Sequence, residues 1–145
     1  MKEVVSLFSV ATVEAQALWS AFDEGRFALP ECEACKRLVY YPRLHCPFCG
    51  AKAFRSVELS GGGTVYSFTR VMYSPFGKRW ESEVPYCVAQ IDLDEGVRFL
   101  SRIVGDITGL HIGERVKVEF VKVAEQERKL PFFRRLTKAE TDGHQ

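Results

Sequence analysis

The sequence predicts a mainly β protein: a short N-terminal helix, a zinc ribbon, and a small closed barrel of five strands of OB type. Three observations carry this. Two C-x-x-C pairs, Cys32-Glu33-Ala34-Cys35 and Cys46-Pro47-Phe48-Cys49, lie ten residues apart. From residue 54 onwards, segments rich in Val, Ile, Thr, Tyr and Phe alternate with Gly, Pro and Asp turns. Helical periodicity, in contrast, is confined to the region before residue 25.

The helix is read over Thr12 to Asp23, where Val13, Ala17, Leu18, Ala21 and Phe22 recur near helical spacing. Glu14 sits in its first turn and Gly25 just past its end, as helix dipole and C-cap preferences favour. Trp19 widens the apolar surface beyond one stripe, so this helix either packs on its own domain or is offered to a partner.

Cys32, Cys35, Cys46 and Cys49 can bring four thiolates to one point, and a closed tetrahedron of soft sulfur donors suits zinc. Gly50 supplies the permissive backbone that a cysteine knuckle uses. Lys36, Arg37, Arg43 and Lys52 surround the cluster and compensate its negative charge. Two disulfides, a redox C-x-x-C and an iron site in the same geometry are the competing readings; paired spacing favours zinc. A saturated shell leaves no open position for water, so the metal is expected to hold the fold and not to catalyse. Leu38 to Tyr41, between the knuckles, reads as a β segment ended by Pro42.

Phe54–Leu59 follows as a strand of alternating character, then Ser60-Gly61-Gly62-Gly63-Thr64 as a turn. No Lys-Ser/Thr pair follows the glycines and the next segment is a strand, so a phosphate cradle is disfavoured. Further strands are read at Thr64–Tyr73, Tyr86–Leu93, Val97–Val104 and Arg115–Val123, with Asp94-Glu95-Gly96 as a hairpin turn. Residues 74–85, between Pro75 and Pro85, read as a long loop. Closure of such strands removes exposed edges, which favours a barrel over the alternative of a small sandwich. The chain then divides into a helical segment (1–25), a ribbon (26–53), a barrel domain (54–137) and a disordered tail (138–145).

The length of 145 residues suits one modest domain, or a small domain with a metal-stapled appendage. No run approaches a membrane span, and Met1 to Val5 lack the apolar core of a secretory signal, so a cytoplasmic location is expected. Basic and acidic residues nearly balance, 20 against 19, and are interspersed, which disfavours nucleic acid as a partner. A single-stranded nucleic-acid module is nevertheless the second function class, because zinc ribbons and OB barrels both serve that role.

Groups for chemistry are scarce. Cys87 lies in an apolar strand, where cysteines are inert packing residues more often than nucleophiles. His45 abuts Cys46 and reads as a surface group, His111 sits in a Gly-bounded turn with no dyad partner evident, and His144 is in the tail. Asp92, Asp94 and Glu95 are explained by a hairpin. Cations for binding are easier to find: Arg70, Lys78, Arg79, Arg98 and Arg102 are interleaved with Tyr66, Phe68, Tyr73, Phe76 and Trp80. Such a set can hold a phosphorylated, ring-bearing ligand, or can simply be core aromatics alternating with solvated charge.

Several stretches together resemble the DUF35 family, the acyl-CoA-associated OB-fold proteins with an N-terminal rubredoxin-like zinc ribbon. They are Leu18-Trp19-Ser20-Ala21-Phe22-Asp23-Glu24-Gly25, the two knuckles with Tyr41-Pro42-Arg43 between them, Gly61 to Thr69, Ile91 to Arg98, and Leu130-Pro131-Phe132-Phe133-Arg134. The resemblance implies a non-catalytic accessory subunit in a hetero-oligomer, for example two plus two, with a thiolase-fold catalytic subunit. The partner carries the carbon–carbon bond chemistry, while this chain completes the assembly and helps bind coenzyme A or acyl-CoA. It implies zinc on the four cysteines, and leaves coenzyme A contacts unmapped, with Arg70, Lys78, Arg79, Arg98 and Arg102 as the candidates. Relatives serve in acetoacetyl-CoA and HMG-CoA synthesis, in steroid side-chain retro-aldol cleavage, and in anaerobic toluene degradation. The compact form without a fused hydratase is most similar to the thiolase type, which cleaves benzoylsuccinyl-CoA to benzoyl-CoA and succinyl-CoA; lyase and HMG-CoA pathway subunits are the alternatives.

Overall fold

The computed structural model describes residues 12–74, 77–123 and 128–142. One turn of 3-10 helix, Val13–Ala15, runs into helix α1, Gln16–Asp23. The helix stops in a Schellman arrangement: Gly25, at φ +76°, donates its amide to Phe22 and Arg26 donates to Ala21. Glycine takes that left-handed backbone at the least cost, so the stop is written in the sequence at Gly25. The buried face of α1 is Leu18, Ala21 and Phe22.

Strands β1, Ala28–Cys32, and β2, Phe54–Glu58, pair antiparallel, with Cys32 opposite Phe54 and Ala28 opposite Glu58. This corrects the sequence expectation that 54–59 opens the barrel. The segment is a strand, but its burial does not alternate, with Phe54 and Val57 the half-buried positions, and its partner is β1, whose Pro30 hides it as a strand; a two-stranded ribbon tolerates the proline because it is all edge. Between the knuckles, the expected β segment reduces to one bridge, Leu38 with Glu31.

The barrel is closed in the order β3-β4-β5-β7-β6, where β3 is Gly62–Val71, β4 Tyr86–Leu93, β5 Arg98–Val104, β6 Arg115–Val123 and β7 Arg128–Arg135. Its fifth strand is thus β7, which contains Pro131 and does not read as a strand by propensity. On the β5 side, β7 is paired only at Phe133 and Arg134, in parallel, so the proline interrupts no ladder there. Closure also needs Gly61 and Gly63. A Cβ on Gly61 would stand 2.3 Å from Val118 Cγ1, and one on Gly63 would stand 2.9 Å from the Asp92 carbonyl oxygen. The glycines are therefore where β3 presses against β6 and β4, and β3 starts inside the run expected to be a turn. It ends at Val71, with Met72 and Tyr73 exposed beyond it.

Residues 78–81 form a short helix, α2, inside the segment expected to be loop; Pro75 and Phe76 lie outside the described residues. The tail expected to be disordered from 138 holds helix α3, Lys138–Asp142. Glu140 supplies the carboxylate half of a capping box at its start: Thr137 donates both its amide and its hydroxyl to Glu140 Oε2, while the Glu140 amide goes to the Thr137 carbonyl. Residues 143–145 lie outside the described residues.

One aromatic core joins these parts. Phe22 of α1, Phe27, Phe99 of β5 and Phe133 of β7 meet with ring centroids 5.3–6.4 Å apart, against Leu29, Val65, Ile91 and Val116. Edge-to-face rings at such distances add to the large apolar area they bury. A smaller cluster of Cys32, Val39 and Cys46, with Phe54, fills the ribbon. No helix among the described residues is long and apolar enough to cross a membrane.

Candidate metal centre and the basic residues of the barrel

Cys32 ends β1, and the backbone then turns back on itself: the Lys36 amide donates to the Cys32 carbonyl and the Cys32 amide to the Arg37 carbonyl. The second knuckle repeats the design, with the Gly50 amide donating to Cys46 and the Cys46 amide to Ala51. Lys36 at φ +61° and Gly50 at φ +78° occupy the matching left-handed positions. The two turns face each other, so that all four Sγ atoms lie within 4.8 Å of one another.

Cys32 and Cys49 are 3.6 Å apart at sulfur, as are Cys35 and Cys46. A tetrahedron with Zn–S bonds of about 2.3 Å has sulfur–sulfur edges of roughly 3.8 Å. A disulfide needs about 2.05 Å, and all the cysteines are free thiols. The donor set thus fits one four-coordinate soft ion. Burial raises the Cys46 thiol, but the amides of Phe48 and Cys49 and the neighbouring thiol of Cys35 outweigh it and hold Cys46 below its ordinary value. The Ala51 amide favours the Cys49 thiolate, yet burial and the three neighbouring sulfurs push Cys49 up. Four thiols this close cannot all ionise unaided; a divalent ion removes that repulsion.

His45 is exposed and contributes no ligand atom to the cluster. Arg37 lies over the Phe48 ring at 4.8 Å, and Lys36, Arg43 and Lys52 stay exposed around the knuckles. Cys87 is 1% exposed in β4, where burial raises its thiol despite the nearby Arg70. His111 does have an acidic neighbour, Glu114, 3.2 Å from its Nδ1, but Glu114 is also engaged by Arg135 and the imidazole is solvent-exposed.

The five basic residues singled out in the sequence are not gathered at one point. Arg70 stands opposite Cys87 in register and donates to the Ile107 carbonyl at 3.0 Å. Arg102, opposite Val88, reaches Glu83 at 3.2 Å and lies over Tyr86 at 3.9 Å. Arg98, at the other end of β5, pairs with Asp92 at 2.7 Å and lies 3.4 Å from the Tyr66 ring centre. Lys78 is exposed in α2; Arg79 is the next position there, its side chain outside the described residues, as is that of Trp80.

Sequence reasoning passed over two further relationships. Trp19 bonds to Tyr41, for which nothing in the sequence gives a hint. The Thr137-x-x-Glu140 capping pattern, in contrast, was present to be read.

Two family models match the chain. Residues 19–55 match the model described as "ChsH2, rubredoxin-like zinc ribbon domain", and residues 56–121 the model described as "ChsH2, C-terminal OB-fold domain". The chain is 34% identical over 96 residues to a "DUF35 domain-containing scaffold protein" of Methanocaldococcus jannaschii, covering 65% of this chain and 67% of that protein. It is 35% identical over 120 residues, 81% of its length, to a "Probable enoyl-CoA hydratase alpha subunit" of Thermomonospora curvata, but spans only 36% of that longer protein. It is 27% identical to the "Benzoylsuccinyl-CoA thiolase subunit BbsA" of Geobacter metallireducens, over 69% of this chain and 65% of the relative. Among solved structures, a chain of the "Ltp2-ChsH2(DUF35) aldolase" superposes with a TM-score of 0.75 at 30% identity, covering 87% of this chain and 97% of that one. With its knuckled ribbon leading into a closed five-stranded barrel, the chain belongs to the DUF35 family of zinc-ribbon and OB-fold proteins.

Proposed function

We propose that this chain is the non-catalytic accessory subunit of a thiolase-type complex acting on acyl-CoA thioesters. The observation that carries the proposal is the match, over 97% of its length, to a chain of an aldolase whose name joins two proteins, Ltp2 and ChsH2. The relative named as a thiolase subunit supports the same division of labour. The chain's own chemistry agrees: its one thiol outside the cysteine cluster is buried and raised. Zinc on Cys32, Cys35, Cys46 and Cys49 holds the ribbon shape and supplies no open coordination position. The reaction of the complex is carbon–carbon bond cleavage or formation. Benzoylsuccinyl-CoA cleavage is the particular case favoured by the thiolase-subunit relative, and aldol cleavage the case favoured by the aldolase match.

Acyl-CoA binds where the two subunits meet, with Arg70, Lys78, Arg79, Arg98 and Arg102 as this chain's cationic contributors. Co-expression with a thiolase-fold partner tests the whole reading. A single complex on size exclusion, with turnover that the partner lacks alone, is the expected result. A partner fully active by itself, or an isolated chain that turns over an acyl thioester, overturns it. For the coenzyme A contacts, Lys78→Ala and Arg102→Ala should raise KM for acyl-CoA with little change in kcat; an unchanged KM removes these residues from the site.

A further inference from the structure

Helix α1 and the ribbon do not close fully on each other. A groove of about 280 Å³ runs between them, with Leu18, Pro30 and Phe54 among its apolar lining and Leu44, 64% exposed, on its edge. Arg43 and Lys52 also line it, both exposed, and neither enters an ion pair among the described residues. The third cation there, Arg55, is held by Glu31 at 2.6 Å. Glu14 is the one carboxylate on the lining among the described residues.

The volume lies below the roughly 300–1,000 Å³ of sites that enclose a small molecule. It suits a few side chains of a protein segment and not a whole cofactor. Cations with no ion pair among the described residues, flanking an exposed leucine, complement an apolar side chain flanked by carboxylates. We propose, on the basis of the accessory-subunit reading, that this groove docks a short acidic and apolar segment of the catalytic partner. The segment's apolar side chain seats on Leu18, Leu44 and Phe54, and its carboxylates meet Arg43 and Lys52. The zinc ribbon is then a docking element as well as a scaffold.

The test measures affinity for the thiolase-fold partner at low and high salt, using the full chain loaded with zinc. Arg43→Glu with Lys52→Glu should weaken binding on the order of tenfold or more at low salt and flatten its salt dependence. Arg43→Lys with Lys52→Arg should restore both. Leu44→Ser, at a site already exposed, should weaken binding without altering the salt dependence. Lys117→Glu with Lys122→Glu, exposed on β6, changes net charge equally and should leave affinity unaltered. Zinc content, measured in each variant, separates lost docking from a damaged ribbon. Wild-type affinity in both the charge-reversed and Leu44 variants overturns the proposal. So does a groove that serves a second copy of this chain, seen as a smaller self-associated mass in the variants with partner affinity intact. Failure of the wild-type chain to bind the partner at all is a separate result: it removes the accessory-subunit reading, and the docking groove with it.

Discussion

Trp19 donates its indole Nε1 proton to the phenol oxygen of Tyr41 at 3.0 Å. The two residues are 22 positions apart, and the bond ties α1 to the loop between the knuckles. Trp19 also meets Phe22 edge-on at 5.9 Å and lies beneath the Arg128 guanidinium at 5.5 Å, so helix, ribbon and β7 converge on one indole. Tyr41→Phe removes a single, partly exposed hydrogen bond and is expected to cost at most about 0.5–1.5 kcal/mol. Trp19→Ala should cost more, up to the roughly 3–5 kcal/mol of a large aromatic truncation. Urea midpoints of the two variants check the order; a Tyr41→Phe loss equal to that of Trp19→Ala would contradict it.

Cys32→Ser or Cys49→Ser should abolish stoichiometric zinc and unfold the ribbon, because ligand assembly and ribbon folding are one event. Cys32 is at the end of β1, so its loss also loosens the β1–β2 pairing. Zinc by elemental analysis should read about one per chain in the wild type, as a single four-ligand site requires, and essentially none in either variant. The metal should also come off as pH falls, since each ligand must be a thiolate to bind. Wild-type protein isolated metal-free with its ribbon amides still protected would sink this account.

What the sequence made legible follows from how local each feature is. The knuckles, the α1 stop at Gly25 and the Asp94-Glu95-Gly96 hairpin depend on a few adjacent residues, and all stand where expected. Strand pairing depends on residues far apart. Phe54–Glu58 has a strand's composition whichever sheet it joins, so its place beside β1 could not be read. The two strands that the sequence reading lacks, β1 and β7, both hold a proline, Pro30 and Pro131, and propensity counts the missing donor but not whether that edge is paired. The basic residues were legible as charges but not as ion pairs: Asp92 and Glu83 already hold Arg98 and Arg102, a matter of register and loop placement.

Cys87→Ala should leave turnover of the assembled complex unchanged. The thiol faces the barrel core, opposite Ile103 in register, and burial keeps it protonated at neutral pH. Its truncation is expected to cost about 1–2 kcal/mol, a small core deletion. In the wild type it should react with a thiol reagent only once denaturant opens the barrel. Loss of turnover in a folded Cys87→Ala complex would make it a working nucleophile and overturn the accessory role.

Glu140 accepts hydrogen bonds from Arg134 at 2.7 Å, and from the Thr137 amide and hydroxyl, and these hold its carboxyl far below the ordinary glutamate range. A depressed folded-state value means that the bond stabilises the docked α3 at every pH above the unfolded glutamate value, about 4.3. The contribution then declines as pH falls below that value and is gone only in strong acid. Amide exchange across Ala139–Thr141 should therefore be flat from pH 7 to about 5, once the intrinsic exchange rate is divided out. Glu140→Gln keeps an acceptor for Thr137 but loses the charge facing Arg134, and should raise exchange across the whole pH range. Undocking of α3 in the wild type between pH 7 and 5 would show that another group, and not this carboxylate, anchors the C-terminal helix.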